Sequence, residues 1–465
     1  TPALLFSNCV DTDIVIRDSS VGMGTIVTGQ PASLTVENVT ELDGDGFVLS
    51  LTSNRSVRIV LNAVTVKGSG EGGMFITGAT IAGLVAIDIS MQGPRGLKIE
   101  KSTITGTVTV DRLAVSSVAP VVGFAVTDST VVAGVTISLR DVQFESICRS
   151  HSPGLRAAVR FVKNNVSAST FLFHAIQAAI EAGVSWEGHD NYAIAFDGGS
   201  LATSTITVSA SSLDTRWFPF VRTPALLFSN CHDMNIVIRD TYVGMGTIVT
   251  GHLTSFSATN VTVSAGNGFQ LSLNGNGSMP TDVTFRDVEM EAAAGGVTLS
   301  GASLGRLSLT RVELQGAQGF LVDRSFFLAG GIYVDGLYVH SALPVVAFAV
   351  SDSTLLGTVV TMRNTTVVLI THEYVPGVRA AVRFTASRIA DALISLASMN
   401  VMIQTSANWP DHDNYAIAFD NAGTIASTTI DISNSSLLSR WNGRVQTPAL
   451  LFSNCNDTMI RMVNT

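Results

Sequence analysis

The feature that most constrains this chain is a long internal repeat. Residues 1–30 and 223–252 are identical at 24 of 30 positions, and a third copy of TPALLFSNC begins at Thr447. The period is therefore 222 residues and then 224. Such self-similarity indicates that one structural unit is stacked many times, and it argues against a set of unrelated domains. We expect residues 1–222 and 223–446 to be two repeats of one continuous solenoid, residues 447–465 to begin a third, and the chain to be a segment of a longer array.

A shorter period lies inside each long repeat. Brief apolar strands such as GTIVTG (24–29) and AIAFDGG (193–199) recur at intervals of 20 to 37 residues, with a second alternating strand between them. Short strands bounded by Gly, Ser, Asn or Asp at this spacing fit one coil of a parallel β-helix. The predicted fold class is therefore all-β: a right-handed parallel β-helix with about eight coils per repeat of ~223 residues. The handedness follows from the bias of parallel crossover connections.

The same pattern predicts which residues form the core, and it argues against a helix at 171–183 and against a string of β-sandwich domains. Segment 171–183 could pass for a helix, but its counterpart 394–404 alternates as a strand does, so both are predicted as strands. Longer intervals after Phe124 predict protruding loops at 185–192 and 408–415. A string of β-sandwich domains is the rival fold, and it is disfavoured because Asn-Gly hairpin dipeptides are scarce. The predicted inward row of the first repeat is Leu4, Phe6, Phe75, Phe124, Phe161 and Phe196.

Composition narrows the possible partners. Charged residues make up 14 % of the chain, hydrophobic residues 46 %, and only four residues are Lys. No apolar run reaches the ~20 residues that a spanning helix needs. The net charge of −9 and the absence of a basic stripe argue against nucleic acid. The expected partners are further copies of the same repeat, neighbouring rods and covalent N-glycans.

The sequon N-x-S/T is the most informative motif. Asn38 and Asn54 each have a sequon partner one repeat later, at Asn260 and Asn276, inside sequence that has otherwise diverged. Glycans would cover a hydrophobic exterior that is nearly free of Lys, and their presence implies a secretory route and an extracellular location. The alternative is that N-V-T is simply a common strand ending. The predicted glycosylation sites are Asn38, Asn54, Asn165, Asn260, Asn276, Asn364, Asn434 and Asn456.

Residues that could carry catalysis do not form a convincing set. Asp43 and Asp45 correspond to Ala265 and Asn267 in the second repeat, so that site is absent there. The motif HDNYAIAFD, at 189–197 and 412–420, offers one His and two Asp residues, fewer converging groups than a zinc site needs. We interpret it as turns around a core strand, with His189 and Asp190 before the strand and Asp197 after it. We expect no catalytic residue, no metal site and no cofactor.

Three further residue sets receive structural interpretations. The first is an arginine set that we expect to face outward, in salt bridges or on glycans: Arg156, Arg160, Arg379 and Arg383. The second is the four cysteines, which we interpret as unpaired, small buried residues, with a cross-link to a neighbouring rod as the alternative: Cys9, Cys148, Cys231 and Cys455. Equivalent positions in successive repeats would lie roughly 40 Å apart in a rod, too far for a disulfide. The third is the four tryptophans near the long loops, which could stack on sugars: Trp186, Trp217, Trp409 and Trp441.

Through its coil pattern and long near-identical repeats, the whole chain resembles the pectate-lyase-like right-handed β-helix superfamily. More loosely, it is similar to large repetitive, mastigoneme-like surface and fibril glycoproteins of flagellate protists. A lyase of the first group would use clustered Asp residues for calcium and an Arg or Lys base, and no such cluster is present. We therefore expect a structural glycoprotein of an extracellular fibril or surface coat. The alternative function is a carbohydrate-binding adhesin or a polysaccharide-active β-helix enzyme.

Overall fold

The computed structural model describes residues 2–44, 46–51, 55–67, 73–93, 95–148, 154–182, 190–217, 223–275, 279–291, 295–316, 318–371, 377–405, 412–420, 423–441 and 448–465. These residues form two compact units, Thr1–Met245 and Gly246–Thr465. The described secondary structure is all β-strand. No helix among the described residues is long and apolar enough to cross a membrane.

The described residues of the first unit form 22 strands. They are β1 Leu4–Val10, β2 Asp13–Val21, β3 Thr25–Gln30, β4 Ser33–Glu41, β5 Gly46–Leu51, β6 Ser56–Lys67, β7 Gly73–Thr77, β8 Thr80–Gln92, β9 Leu97–Glu100, β10 Thr103–Ile104, β11 Val108–Ser117, β12 Val122–Thr127, β13 Thr130–Val131, β14 Thr136–Arg140, β15 Gln143–Cys148, β16 Arg156–Ser167, β17 Thr170–His174, β18 Gln177–Ala182, β19 Asn191–Ala202, β20 Thr205–Ser209, β21 Ser212–Trp217 and β22 Leu226–Val243.

The described residues of the second unit form a further 20 strands. They are β23 Thr247–Val263, β24 Gly268–Leu273, β25 Thr281–Met290, β26 Gly296–Ser300, β27 Ser303–Gln315, β28 Phe320–Asp323, β29 Phe326–Ser341, β30 Val346–Ser351, β31 Thr354–Leu356, β32 Val359–Thr371, β33 Gly377–Thr385, β34 Arg388–Ala390, β35 Leu393–Thr405, β36 His412–Asp420, β37 Thr424–Ala426, β38 Thr429–Ser433, β39 Ser436–Trp441, β40 Leu450–Phe452, β41 Cys455–Asn456 and β42 Met459–Val463.

Each unit is a parallel β-helix, as the repeat pattern predicts. Every described strand pairing is parallel, and residues pair with residues one coil away along the chain. Strands adjacent in number pair only where a long strand spans more than one sheet, as β22 does with β21 and β23 with β24. The first sheet of the first unit, for example, stacks β1, β3, β5 and β7. A second and a third sheet come from strands that bend at a corner, as β4 does between Glu37 and Val39. Antiparallel sandwich modules are not found among the described strands.

The aligned positions of the first sheet confirm eight coils in the first repeat. In the first unit the in-register positions are Phe6, Val27, Leu49, Ile76, Ile99, Val126, Phe161, Phe196 and Phe228. The steps are 21 to 27 residues as far as Val126 and 32 to 35 residues afterwards, so the later coils are the longer ones. In the second unit the same row is Val249, Leu271, Leu299, Val322, Val350, Phe384, Phe419 and Phe452.

The repeat boundaries do not coincide with the boundary between units. The first strand of the second repeat stacks within the first unit, where Ile194 pairs with Leu226 and Phe196 with Phe228. Within the second unit, Phe419 pairs in the same way with Phe452 of the third copy. Each repeat therefore continues the sheet of the repeat before it, although residues 218–222 and 442–447 lie outside the described part.

The predicted inward row is right at most positions and wrong at Phe75. Phe124, Phe161 and Phe196 are at most 1 % exposed. Phe75 instead points outward from β7, between the buried Met74 and Ile76, and the Lys98 ammonium lies 5.3 Å from its ring centroid. The segments predicted as strands at 171–183 and 394–404 are strands among their described residues, in β17, β18 and β35.

The corner between the second and third sheets depends on a left-handed residue in each coil. Asp18, Asn38 and Asp88 occupy it with φ between 49° and 55°, a region that Asn, Asp and Gly tolerate better than other residues. Ala63 and Ala175 adopt the same conformation at φ 51° and 54°. Because one backbone conformation recurs at this point of successive coils, the corner residues of successive coils lie one above another.

Candidate functional site

The predicted glycosylation residues are exposed wherever the structure describes them. Asn54 and Asn276 lie outside the described residues. Of the others, four occupy the left-handed corner between the second and third sheets, with φ between 47° and 53°: Asn38, Asn260, Asn364 and Asn434. The remaining two lie near the end of the first sheet, in β16 and β41: Asn165 and Asn456. Exposure and the corner conformation both favour Asn here, so the fold supplies a structural reason for Asn that is independent of glycosylation.

The corner side chains are linked from coil to coil. The Asn38 Nδ2 donates to Asp18 Oδ1 at 2.8 Å, and the Asn364 Nδ2 donates to Asp335 Oδ1 at 2.8 Å. In other coils an arginine takes the place of the asparagine, as where Arg112 donates from Nε and Nη2 to Asp88 at 2.5 and 2.9 Å. Hydrogen bonds to a carboxylate are the stronger kind, so the corner is an exposed polar ladder that ties each coil to the previous one.

The HDNYAIAFD motif of the first unit forms a polar cluster on the outer face of the first sheet. Arg160 Nη2 lies 3.0 Å from Asp197 Oδ2, and both residues are partly exposed. Burial raises the pKa of Tyr192 to about 12, with the nearby carboxylates of Asp190 and Asp197 adding to the shift. The Tyr192 side chain packs on Ala157 and Ala195 in a small apolar cluster outside the main core.

The second copy of the motif repeats this arrangement with a tighter ion pair. Arg383 donates from Nη2 and Nε to Asp420 Oδ2 at 2.8 and 3.2 Å, and Thr385 Oγ1 donates to Asp420 Oδ1 at 2.8 Å. Tyr415 packs on Ala380 and Ala418 as Tyr192 does on its own alanines. Such a satellite cluster stabilises the outer face of the strand, because an aromatic ring covers apolar surface that would otherwise face water.

This geometry corrects one detail of the motif and leaves another untested. Asp197 lies within β19 and not in a turn after the core strand, and it is the acceptor of the Arg160 ion pair. His412 and Asp413 likewise belong to β36. His189 lies outside the described residues, so the set of one His and two Asp cannot be placed as a whole.

The prediction for the four arginines is wrong at two of them. Arg156 and Arg379 are 1 % and 0 % exposed, whereas Arg160 and Arg383 are partly exposed, as predicted. Arg379 Nε donates to Thr371 Oγ1 at 3.2 Å, and burial lowers the pKa of Arg379. Outward placement was expected because charged residues are rarely buried. Here β16 is covered on both faces, since Arg156 to Val159 are four consecutive buried residues.

The cysteines and tryptophans carry no site in the described part of the chain. Cys9, Cys231 and Cys455 are all free thiols, but the prediction of burial is right only for Cys231, since Cys9 is partly exposed and Cys455 is exposed. Cys231 is 4 % exposed, and burial raises its pKa to about 12, which makes the reactive thiolate scarce. The side chains of Cys148, Trp217 and Trp441 lie outside the described part, as do Trp186 and Trp409 entirely. The stacking of tryptophan on sugars therefore remains a prediction.

A ladder of buried hydroxyls was not anticipated from the sequence. Ser102 Oγ accepts from the backbone N–H of Ala79 in the previous coil, at 3.1 Å, and donates to Glu100 O in its own coil, at 2.8 Å. Ser129 and the Asn164 amide continue the series. The available signal was a Ser two residues after the end of several first-sheet strands, namely β9, β12, β28, β30 and β33. These residues satisfy backbone groups where strands end, which is a structural role.

A shallow groove of about 590 Å³ lies in the first unit, along the third sheet. Its polar lining includes Gln143, Glu145, Gln177 and Asp214, and the inward-facing Phe144 contributes to its floor. The corresponding column of the second unit reads Val368, Met402 and Leu438 in place of Glu145, Ala179 and Asp214. The groove can therefore serve only the first repeat in this form.

Comparison with known proteins gives a distant structural similarity. No family model matches the chain, and no curated protein matches it. A solved structure titled "The cryo-EM structure of the Vag8-C1 inhibitor complex" aligns with 97 % of this chain and 100 % of that chain, at 12 % sequence identity and a TM-score of 0.34. The parallel β-helix fold is established by the strand pairing of the chain itself, and the similarity to the pectate-lyase-like and mastigoneme-like groups remains a resemblance.

Proposed function

We propose that this protein is a structural tandem-repeat glycoprotein that forms an extracellular rod or a surface coat. The observation that supports this most is the in-register pairing of Phe196 with Phe228 across a repeat boundary. Because the last coil of one repeat pairs with the first strand of the next, repeats can be added without a flexible linker between them, as in other solenoids. The expected partners are further copies of the repeat and neighbouring rods.

The exposed sequons support the secretory part of the proposal. In N-glycosylation the Asn Nδ2 bonds to the anomeric carbon of a lipid-linked sugar, the lipid pyrophosphate leaves with the electron pair, and Nδ2 loses one proton. Six of the eight acceptor residues are exposed in the described part of the chain. Exposure is required because an asparagine that carries a glycan must project into solvent. Glycans would cover an outer surface rich in Thr, Ser and Val that carries little charge.

Two measurements on the full 465-residue chain test the proposal. Secretion from a glycosylating host, followed by peptide-N-glycosidase and mass spectrometry, should convert Asn38 and Asn260 to Asp. Small-angle scattering should give a maximum dimension of roughly 75–80 Å for about 16 coils at ~4.8 Å each. Unmodified peptides at every sequon would remove the glycoprotein assignment, and a compact particle would remove the rod.

Carbohydrate binding is a second candidate, favoured by the groove along the third sheet of the first unit. Amide and carboxyl groups such as Gln143, Gln177 and Asp214 can exchange hydrogen bonds with sugar hydroxyls. Titration calorimetry with neutral oligosaccharides tests it, with the Gln143→Ala variant as the comparison. Binding that is lost in this variant would favour the adhesin, and absence of heat at millimolar ligand would favour the purely structural role.

A further inference from the structure

Two of the sequon asparagines are held by an acidic residue of the previous coil. Asn38 and Asn364 sit at the left-handed corner with φ 52°, and each donates from Nδ2 to a carboxylate oxygen at 2.8 Å. The acceptors are Asp18 and Asp335, in coils that pair in register with those of the asparagines. Both hydrogen bonds lie on the exposed surface, so they fix the orientation of an amide that solvent and enzymes can reach.

The carboxylate at the second site is itself held in place. Asp335 Oδ2 accepts from Arg363 Nη2 at 2.7 Å while Oδ1 accepts from Asn364. Hydrogen bonds from Arg363 and Asn364 lower the pKa of Asp335, so this group is an ionised acceptor at neutral pH. At the first site, Arg17 Nε and Glu37 Oε2, 2.7 Å apart, form an ion pair one residue before the corner in each coil.

The chemistry of N-glycosylation leaves this hydrogen bond available. Attachment of the sugar replaces one of the two hydrogens on Nδ2, and the remaining N–H can still donate to the carboxylate. We propose that Asp18 and Asp335 are positioning residues that hold the first sugar on Asn38 and Asn364 in one orientation. This inference rests on the proposed glycoprotein function and adds that the glycans at these two corners are held by the fold.

Other sequons of the same chain provide a matched contrast. Asn165 is exposed in the same unit as Asn38, and its side-chain amide makes no hydrogen bond with the described residues. Asn434 is held differently, because its Oδ1 accepts from Asn464 Nδ2 at 3.2 Å and its own Nδ2 is not the donor. A glycan on Asn165 is therefore expected to reorient freely, whereas one on Asn38 is restrained by a charge-assisted hydrogen bond.

The test measures how fast the glycans are removed from the folded protein. The full chain is secreted from a glycosylating host and treated with peptide-N-glycosidase in ¹⁸O-labelled water, without denaturation. Mass spectrometry then follows labelled Asp at positions 38 and 165 over time. The variants are Asp18→Gly, which removes the acceptor but suits the φ of 49°, and Asp18→Asn, which keeps an acceptor oxygen.

Release at position 38 should be about two- to tenfold faster in Asp18→Gly than in the wild type, the range expected for loss of one exposed hydrogen bond. Asp18→Asn should remain close to the wild type, and position 165 should not change in any variant. Asp335→Ala, read at position 364, is an independent repeat of the experiment at the second site.

The outcomes separate this inference from the proposed function. Occupied sites with equal release rates in wild type and Asp18→Gly would overturn the positioning role and leave the glycoprotein intact. Faster release at position 165 as well would mean a general loss of structure, which also overturns it. Unoccupied Asn38 and Asn364 in the wild type would overturn this inference alone, and the glycoprotein assignment would fall with it only if every other sequon were also unmodified.

Discussion

The rings of Phe161 and Phe196 stack with their centroids 4.5 Å apart and their planes within 4° of parallel. They occupy one inward position in two successive coils, and Phe384 and Phe419 repeat the arrangement at 4.7 Å and 4° in the second unit. The separation matches the distance between paired strands, so the hydrogen-bonded ladder and the aromatic stack reinforce each other.

Removal of one ring from this stack should destabilise the first unit strongly. Phe196→Ala deletes a side chain that is 1 % exposed, and such changes cost about 3–5 kcal/mol of unfolding free energy. Phe75→Ala is the matched control, because Phe75 lies on the outer face and should cost less than about 1 kcal/mol. Urea denaturation followed by circular dichroism measures both, and equal losses would contradict the assigned faces.

The buried carboxyl of Glu41 should make stability depend on pH. Glu41 is 0 % exposed among the inward residues of the third sheet, and burial raises its pKa to about 7, partly offset by a hydrogen bond from Thr25. The unfolded chain has the ordinary pKa near 4.5, so the folded state binds the proton more tightly. Stability from this group is therefore highest below about pH 4.5 and falls as pH rises to about 7.

The Glu41→Gln variant isolates this effect. It should match the wild type at pH 4 and exceed it by up to about 3 kcal/mol at pH 8, since one pKa unit corresponds to about 1.4 kcal/mol. The second repeat already carries Val263 at the corresponding position. Denaturation midpoints measured at pH 4, 6 and 8 test the sign, and a gap between the two proteins that does not widen with pH would contradict it.

Two Arg–Asp pairs should differ in their contribution to stability. Asp420 accepts three hydrogen bonds from Arg383 and one from Thr385 and is 12 % exposed, so Asp420→Asn should cost about 2–4 kcal/mol. Asp88 pairs with Arg112 on the surface, where both side chains are about half exposed, and Asp88→Asn should leave the melting temperature unchanged. Thermal melts at low and high salt measure both, and a larger effect at Asp88 would reverse the assignment.

Substitution of an alanine at a left-handed corner should increase the stability of the protein. Ala175 has φ 54°, a conformation that costs an alanine roughly 1 kcal/mol and a glycine little. Ala175→Gly should therefore raise the unfolding free energy by about 0.5–1 kcal/mol. The control is Ala178→Gly in β18, which has an extended backbone and should be destabilised instead. A loss at position 175 would show that its methyl group packs usefully.

The sequence predicted the coil repeat, the parallel sheets and the coil number, because each depends on a pattern repeated many times. The sequence-based prediction failed where the length of a single coil or the covering of a single strand determines on which face a side chain lies. Coil lengths differ by a few residues, and a shift of one position exchanges the inner and outer faces, which is why Phe75 was assigned to the core. Arg156 was misplaced because alternation is lost where both faces of a strand are covered. The hydrogen-bonded ladder at the corner depends on left-handed backbone conformations, and the hydrophobic periodicity of a sequence does not predict these.

The TPALLF strand that begins each repeat stacks on the last coil of the previous repeat. This arrangement also determines how the number of repeats can change in evolution. The surface that an added copy must match already exists inside the molecule, in the pairing of Ile194 with Leu226 and of Ile417 with Leu450. Unequal recombination between two gene segments can therefore lengthen or shorten the protein by whole repeats without a new interface having to evolve. The number of repeats can therefore change in steps of about 223 residues while the interface between successive repeats stays the same.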